Sequence, residues 1–165
     1  MINIAELLRR AGSIRDVDRQ IDASEFDFAD ERIVASSKVD VSLTLEALTD
    51  GIVVHGSLQA DWRCECRRCL RPLTGRAQVE VQELYQAVIS DPDAYPITGE
   101  QLDLLEMTRE NVLLAVPLAP LCSADCPGLC PQCGADLQSA PCSCTRELRD
   151  ERWAALDALK TDENQ

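Results

Sequence analysis

The residues of this chain best suited to chemistry are its nine cysteines, six of which fall within 24 residues. Those six lie in LCSADCPGLCPQCGADLQSAPCSC, from residue 121 to residue 144. The other three come much earlier in the chain, at Cys64, Cys66 and Cys69. Clustered thiolates bind cations such as Zn²⁺, whereas paired thiols in an oxidising compartment form disulfides.

The N-terminus favours reduced thiols. The stretch MINIAELLRRAGSIRDVDRQ has no long apolar region of the signal-peptide kind, and Arg9 and Arg10 follow its short apolar run instead of preceding it. No segment approaches the ~18 apolar residues that a membrane-spanning helix needs. We therefore expect a cytoplasmic protein with no membrane partner, whose thiols are free to bind a metal.

The sequence CPQCG at 130–134 has the spacing of a zinc knuckle. Two thiolates separated by two residues can bind one Zn²⁺ when the backbone turns tightly between them. Pro131 favours that turn, and Gly134 lets the chain leave it in a conformation that most residues resist. Two further thiolates are close enough in sequence to complete a tetrahedral set, those of Cys142 and Cys144.

Four other cysteines form two-ligand half-sites: Cys66 with Cys69 in CRRCL, and Cys122 with Cys126 in CSADC. If these half-sites join, the metal links segments separated by more than 50 residues. The spacing leaves the pairing open, and with it the number of zinc ions, one or two. A single site is also compatible with the spacing, with the ligands Cys126, Cys130, Cys133 and Cys142.

A structural role is the expected use of these thiolates, because a site of four cysteines leaves no open position for water or substrate. Thiol redox chemistry is the rival, but a redox CxxC normally begins a helix in a βαβ unit, and here six cysteines crowd together. Cys64 remains unassigned, as a buried free thiol or an alternative ligand. On a strand it would point to the same side as Cys66.

The catalytic motifs that we sought are missing from the sequence. His55 is the one histidine, no serine lies in a GxSxG setting, and there is no glycine-rich phosphate loop. The zinc deaminase pattern also fails, because Leu129 precedes Cys130 where a proline is needed and Gly56 and Ser57 follow His55. We expect neither catalysis nor a small-molecule substrate.

The charge distribution suggests a macromolecular partner. A net charge of −13 opposes broad binding to nucleic acid and suits a basic protein. The window 62–76 is the exception: five arginines and one glutamate give it +4, which leaves −17 for the rest of the chain. These arginines either neutralise nearby thiolates and acids or form a contact surface, for which the candidates are Arg63, Arg67, Arg68 and Arg71.

The elements that position these residues follow from hydrophobic periodicity. Alternation at 39–48 predicts a strand, the turn Thr49-Asp50-Gly51 leads to a returning strand at 52–66, and 76–88 alternates again. Three strands joined by short connections predict an antiparallel sheet that curls towards a barrel.

One helix is expected before these strands in sequence and another after them. The stretch from Ile4 to Arg10 predicts a short helix with Leu7 and Leu8 facing inward. The stretch 12–31 predicts an extended segment that packs a few apolar side chains onto the core. After a loop at 90–101, helical spacing at 102–117 predicts a helix that covers the sheet, with a shared face of Leu105, Val112, Leu113 and Val116.

A terminal amphipathic helix is expected at 146–160, with the apolar stripe Leu148, Trp153, Leu156 and Leu159. The predicted fold class is therefore α+β, with a cysteine-rich zinc-binding C-terminal region before the terminal helix. We divide the chain into 1–30, 31–117 and 118–165, and expect the last two parts to form one compact unit.

The motifs together resemble a known family. CRRCL, DLLEMTRENVLLAVPLAPLC, CSADCPGLCPQCGADL, the terminal CSC and RWAALDALK are similar to the bacterial large ribosomal RNA subunit accumulation proteins, the YceD-like family. The similarity covers roughly residues 35 to 160.

This resemblance implies a cytoplasmic, non-catalytic role in making or keeping large-subunit (23S) ribosomal RNA, with a ribosomal protein or the pre-ribosome as partner. Some relatives carry histidines in place of Cys122 and Cys126 and lack the later cysteines. The resemblance therefore favours two sites. Site one would use Cys66, Cys69, Cys122 and Cys126. Site two would use Cys130, Cys133, Cys142 and Cys144.

The physical argument and the resemblance combine into one hypothesis: an acidic body holds a basic ribosomal protein, and a zinc-braced basic corner touches RNA. Two alternatives remain. One is a zinc-stabilised adaptor that binds a protein and never RNA, and the other is a CxxC thiol-redox enzyme.

Overall fold

The computed structural model describes residues 1–144 and Arg152. Seven strands in the order β1-β7-β6-β5-β4-β3-β2 form one curled sheet, a half-barrel, and one α-helix packs against it. The strands are β1 (Ile2–Asn3), β2 (Ile14–Asp22), β3 (Lys38–Ala47), β4 (Ile52–Glu65), β5 (Pro72–Gln86), β6 (Tyr95–Thr98) and β7 (Gln101–Leu102). The helix, α1, is Leu105–Ala115, and two short 3-10 helices lie at Leu7–Arg9 and Ala23–Phe26.

The three central strands, β3, β4 and β5, confirm the predicted meander. Alternate residues of β3 are buried because one face of the sheet is the core: Val39, Val41, Leu43, Leu45 and Ala47. β4 pairs antiparallel with both β3 and β5, and its pairing with β5 runs from Ile52 to Glu65. The predicted α+β class with a curling sheet is therefore confirmed.

The helix α1 packs against the sheet at β4 and β5. It begins at Leu105, three residues later than predicted, because β7 already uses residues up to Leu102. Met107, Thr108 and Val112 form its buried side, so the predicted face at Leu105 and Leu113 is only half-buried.

The first 30 residues contain more sheet than expected. The predicted extended segment includes β2, which pairs with β3 from Ile14 to Asp22 and forms an edge of the sheet. The predicted helix at 4–10 is only the 3-10 helix Leu7–Arg9, and Leu8, predicted inward, is 45% exposed.

The segment 90–101, predicted to be a loop, contains β6 and the start of β7. β6 runs parallel to β5 through Tyr85 and Tyr95, so the sheet is mixed at this one place instead of purely antiparallel. The two tyrosine rings stack with centroids 5.2 Å apart. The predicted terminal helix at 146–160 lies, apart from Arg152, outside the described residues.

Candidate metal centres

The first cysteine group joins the end of the sheet to the segment after α1. Cys66 follows β4 directly, Cys69 lies in the turn before β5, and Cys122 and Cys126 come after the helix. The Sγ atoms of Cys66 and Cys126 are 3.8 Å apart, and those of Cys69 and Cys122 are 3.6 Å apart. All four Sγ atoms lie within 4.8 Å of one another.

The second group is local in sequence. The Sγ atoms of Cys130, Cys133, Cys142 and Cys144 also lie within 4.8 Å of one another. Cys130 is buried, whereas Cys133 and Cys144 are exposed at the surface. The four thiols therefore sit in a shallow site held mainly by the turn at 130–134.

These spacings fit a tetrahedral metal site and exclude disulfides. A tetrahedron of sulfur atoms about 2.3 Å from Zn²⁺ has S–S edges of about 3.8 Å, which matches the separations in the first group. A disulfide needs sulfurs about 2.05 Å apart. All nine cysteines are free.

The two CxxC turns have the same backbone geometry. In the first, the N–H of Cys66 donates to the carbonyl of Arg71 at 2.8 Å, and the N–H of Leu70 donates to the carbonyl of Cys66 at 2.9 Å. In the second, the N–H of Cys130 donates to the carbonyl of Ala135, and that of Gly134 to Cys130, both at 2.8 Å. We call these turns knuckle one (66–71) and knuckle two (130–135).

Each group contains one thiol that ionises readily. Burial opposes ionisation of Cys66, but backbone N–H groups of Cys69, Arg68 and Cys122 donate to its sulfur and lower its pKa to about 6. The N–H groups of Cys133 and Gln132 lower the pKa of Cys130 to about 6 in the same way.

Each group also contains a thiol that resists ionisation. Burial, followed by the hydrogen bond with Cys122, raises the pKa of Cys126 to about 12. The hydrogen bond with Cys133, followed by burial, raises the pKa of Cys144 to about 12. Four thiolates can therefore share either site only when a cation neutralises them.

Comparison with known proteins gives these sites a family context. The family model described as large ribosomal RNA subunit accumulation protein YceD matches residues 54–160. The chain belongs to the YceD family. The matched range includes all nine cysteines, and therefore both metal-site candidates of this YceD-family chain.

Individual relatives agree with the YceD assignment. An uncharacterized protein of Mycobacterium bovis is 32% identical over 163 residues, covering 94% of this chain and 78% of its own, and an uncharacterized protein of Mycobacterium tuberculosis matches with the same values. The chloroplastic YCED homolog 1 of Arabidopsis thaliana, named as a large ribosomal RNA subunit accumulation protein, is 30% identical over 66 residues, 40% of this chain and 21% of its own. No solved structure matches the chain.

Two of the four arginines singled out in the sequence of this YceD protein bind the chain itself. The Arg68 guanidinium donates to the carbonyl of Cys126 at 2.9 Å, from knuckle one to the other half of the first cysteine group. Arg71 donates to Gln138 at 2.6 Å and pairs with Asp136, whose pKa it lowers. These side chains clamp the segment 124–138 onto knuckle one.

The other two arginines face solvent. Arg63 and Arg67 are exposed, and within the described part of the chain their side chains make no hydrogen bond or ion pair. Their backbone N–H groups donate to the carbonyls of Arg32 at 2.7 Å and Pro120 at 3.0 Å. As far as the described residues go, the side chains of Arg63 and Arg67 are therefore accessible to a partner.

Gly128 allows the two knuckles to approach each other. A Cβ at this position would lie 2.9 Å from the carbonyl oxygen of Arg68, and the φ of 77° is one that side chains disfavour. The same Arg68 carbonyl accepts the N–H of Leu129 at 3.0 Å. Gly128 and Asp136 lie within the motif CSADCPGLCPQCGADL, but the sequence analysis gave neither residue a role of its own, because their contacts with Arg68 and Arg71 depend on the fold.

Cys64 belongs to neither group. It lies half-buried in β4, beside a groove of about 970 Å³ that Arg32 and Asp30 also line, and burial raises the pKa of its thiol. His55 lies on the opposite side of the sheet from the core, paired in register with Thr44 and Gln82. In the described part of the chain, no helix is long and apolar enough to span a membrane; α1 has 11 residues.

Proposed function

We propose that this protein is a non-catalytic cytoplasmic factor of ribosome biogenesis that supports the synthesis or accumulation of large-subunit ribosomal RNA. The match to the YceD family over residues 54–160 is the observation that supports this proposal. The name of the Arabidopsis thaliana relative refers to the same process. The family description names no enzymatic reaction.

In this proposal each cysteine group holds one Zn²⁺. Site one uses Cys66, Cys69, Cys122 and Cys126, and site two uses Cys130, Cys133, Cys142 and Cys144. The sulfur spacing and the thiol-only donor set support zinc, which prefers tetrahedral thiolate ligands. Zinc would neutralise the thiolates and hold the segments together, and it would leave no coordination position for a substrate.

The contact with the pre-ribosome would use both charge regions of the chain. The acidic body suits a basic ribosomal protein, while Arg63 and Arg67, which have no partner within the described residues, suit phosphate at the zinc-braced corner. Arg68 and Arg71, the other two candidates, hold the corner together and would contribute to contact mainly by shaping it.

A complementation experiment tests the role in ribosome biogenesis. A strain that lacks the protein should accumulate less large-subunit than small-subunit ribosomal RNA, and the wild-type gene should restore the ratio. The Cys66→Ser variant should fail to restore it because site one then loses a ligand. A deletion strain with a normal ratio of the two RNAs would refute the proposal.

Metal content tests the zinc assignment separately. Elemental analysis of purified, reduced protein should give two zinc ions per chain, and Cys133→Ser should remove one while the sheet stays folded. Cys64→Ser is the matched control, because Cys64 belongs to neither group, and it should retain both ions. Folded, reduced protein without zinc would contradict the assignment.

A second candidate function is an adaptor that binds a basic protein and never RNA. The net charge of −13 favours it, because an acidic surface repels phosphate. Binding to purified ribosomal proteins and to large-subunit RNA fragments, measured across a salt series, separates the two. The first function is supported if the wild type binds RNA and the double variant Arg63→Ala, Arg67→Ala does not. The adaptor is supported if the protein binds ribosomal proteins in a salt-sensitive way and does not bind RNA.

A further inference from the structure

A row of exposed side chains runs along α1. Its side chains are acidic in the first part of the helix and apolar near the C-terminal end. Glu106, Glu110 and Leu114 recur at four-residue intervals, so they lie on one side of the helix. All three are exposed, and Leu114 is 85% exposed. On this side, α1 therefore presents two carboxylates followed by a leucine, and the Glu110 carboxylate also accepts a hydrogen bond from the Tyr95 hydroxyl at 2.6 Å.

A second exposed patch lies where the chain leaves the helix, beside knuckle one. Leu118 is 80% exposed and lines a groove of about 300 Å³. The apolar lining of the groove also includes Pro117, Pro120 and Leu70, and its charged lining is Arg32, Glu65 and Arg67. The N–H of Arg67 donates to the carbonyl of Pro120, which holds this basic residue beside the leucines. The row and this patch together, which we call the α1 face, consist of Glu106, Glu110, Leu114, Leu118, Leu70 and Arg67.

Leu70 adds an exposed apolar side chain to this face, held in place by the turn of knuckle one. Its φ is 58°, a left-handed conformation that favours glycine, and the equivalent residue of knuckle two is Gly134 with a φ of 72°. The Leu70 side chain is nevertheless 55% exposed, so burial within the chain compensates little for the strain.

We propose that the α1 face is the contact between two copies of this chain related by a twofold axis near Leu114. A row that runs from acid through leucine to base complements itself when two copies pack antiparallel. The leucines then meet at the centre, and Glu106 and Glu110 of each copy face the partner's Arg67. This contact and the phosphate contact proposed above both use Arg67, so a dimer would leave only Arg63 of that pair for RNA, and self-association is measured here without RNA.

Charge and composition favour a second copy over RNA as the occupant. The apolar part of the face consists of leucine and proline, and it offers no aromatic ring on which a base could stack. Two carboxylates at its other end would repel phosphate. A second copy supplies an arginine for these carboxylates and leucines that cover Leu114 and Leu118.

Sedimentation over a wide concentration range tests the contact on the full zinc-loaded chain. The wild type should form a reversible dimer, and Leu118→Glu should weaken association by at least about tenfold, because a central apolar anchor is replaced by a charge. Val88→Glu is the matched control. Val88 is 83% exposed on the chain between β5 and β6, so its substitution should leave the dimer unchanged.

A charge exchange tests the twofold arrangement itself. Glu106→Arg and Arg67→Glu should each weaken the dimer, and the double variant should regain most of the lost affinity because the pairs re-form with reversed sign. Failure of the double variant to recover would overturn the antiparallel arrangement.

Three further results would overturn the proposal as a whole. The first is a wild type that stays monomeric at the highest concentration. The second is a monomer whose melting temperature falls with Leu118→Glu, which would indicate that the face is covered within the chain itself. The third is a Leu118→Glu variant that loses binding to large-subunit RNA while its self-association is unchanged.

Discussion

Leu70 and Gly134 occupy the same position in two turns of the same geometry. Each is the residue that follows the second cysteine of a CxxC pair, and each donates its N–H to the carbonyl of the first cysteine, at 2.9 Å and 2.8 Å. Both have positive φ, 58° and 72°. Only Gly134 is a residue type to which this conformation costs little.

Leu70→Gly should therefore stabilise the zinc-loaded protein. Removing the side chain relieves left-handed strain of about 1 kcal/mol, and the denaturant midpoint should rise with an unchanged slope. Gly134→Leu is the reciprocal control and should lower the midpoint by a similar amount. A lower midpoint for Leu70→Gly would show that the leucine side chain stabilises the fold more than its conformation strains it.

Arg71→Ala should loosen site two without disturbing site one. The Arg71 side chain holds Asp136 and Gln138, which follow knuckle two, so its loss should speed zinc release from site two several-fold. The measurement is the rate of zinc transfer to a coloured chelator, which should show one fast and one unchanged phase. Arg67→Ala, which removes no hydrogen bond or ion pair within the described residues, should release both ions at the wild-type rates.

Thr108→Val should stabilise the fold by about 1 kcal/mol. Thr108 is fully buried in α1, and in the described residues its hydroxyl is the one buried side-chain polar atom without a hydrogen-bond partner. Valine has nearly the same shape and carries no polar group to desolvate. Thermal unfolding measures the effect. The control is Val112→Thr, which introduces a hydroxyl on the same buried side and should destabilise the protein. If Thr108→Val also proves less stable than the wild type, the Thr108 hydroxyl is essential to the fold.

The stability of the reduced, metal-free protein should pass through a maximum between about pH 6 and pH 9. Cys66 and Cys130 have pKa values of about 6 in the folded state, below that of an unfolded thiol, so their contribution is lost as the pH falls towards 6. Cys126 and Cys144 have pKa values of about 12 in the folded state. Stability therefore falls again as the pH rises above the pKa of an unfolded thiol.

Denaturant unfolding across this pH range, with a chelator present, measures that profile. Cys66→Ser should reduce the loss of stability on the acid side of the maximum, because one of the two thiolates that cause this loss is gone. With zinc bound, the loss on the alkaline side should disappear, since the metal keeps all four thiols of a site deprotonated. A flat profile for the metal-free protein would contradict the ionisation pattern.

The central strands were predictable because their burial follows a simple period. β3 alternates buried and exposed residues along its whole length, and the sequence shows that alternation directly. β2 was missed because it is an edge strand that buries only Val17, so its polar sequence carries no such period. β6 was missed for another reason: four residues including Pro96 contain too little pattern to separate a strand from a loop.

The cysteine groups were predictable in composition but not in pairing. Knuckle two is contiguous in sequence, whereas the first group depends on the path of β5 and α1, which brings Cys122 to 3.6 Å from Cys69. The arginines show the same limit. Their charge was evident, but only the fold shows that Arg68 and Arg71 turn towards the chain while Arg63 and Arg67 face solvent.

The long span between Cys66 and Cys126 has a consequence for how the protein is made. Strands β5, β6 and β7 and helix α1 all lie between the two halves of the first cysteine group. During translation, Cys66 and Cys69 leave the ribosome before the other two cysteines of the group. Two thiolates bind zinc far more weakly than four thiolates do. Under the zinc assignment proposed above, the metal would link this corner only after Cys126 has emerged. A shortage of zinc would then delay the closing of the corner in a chain whose seven described strands have already been synthesised.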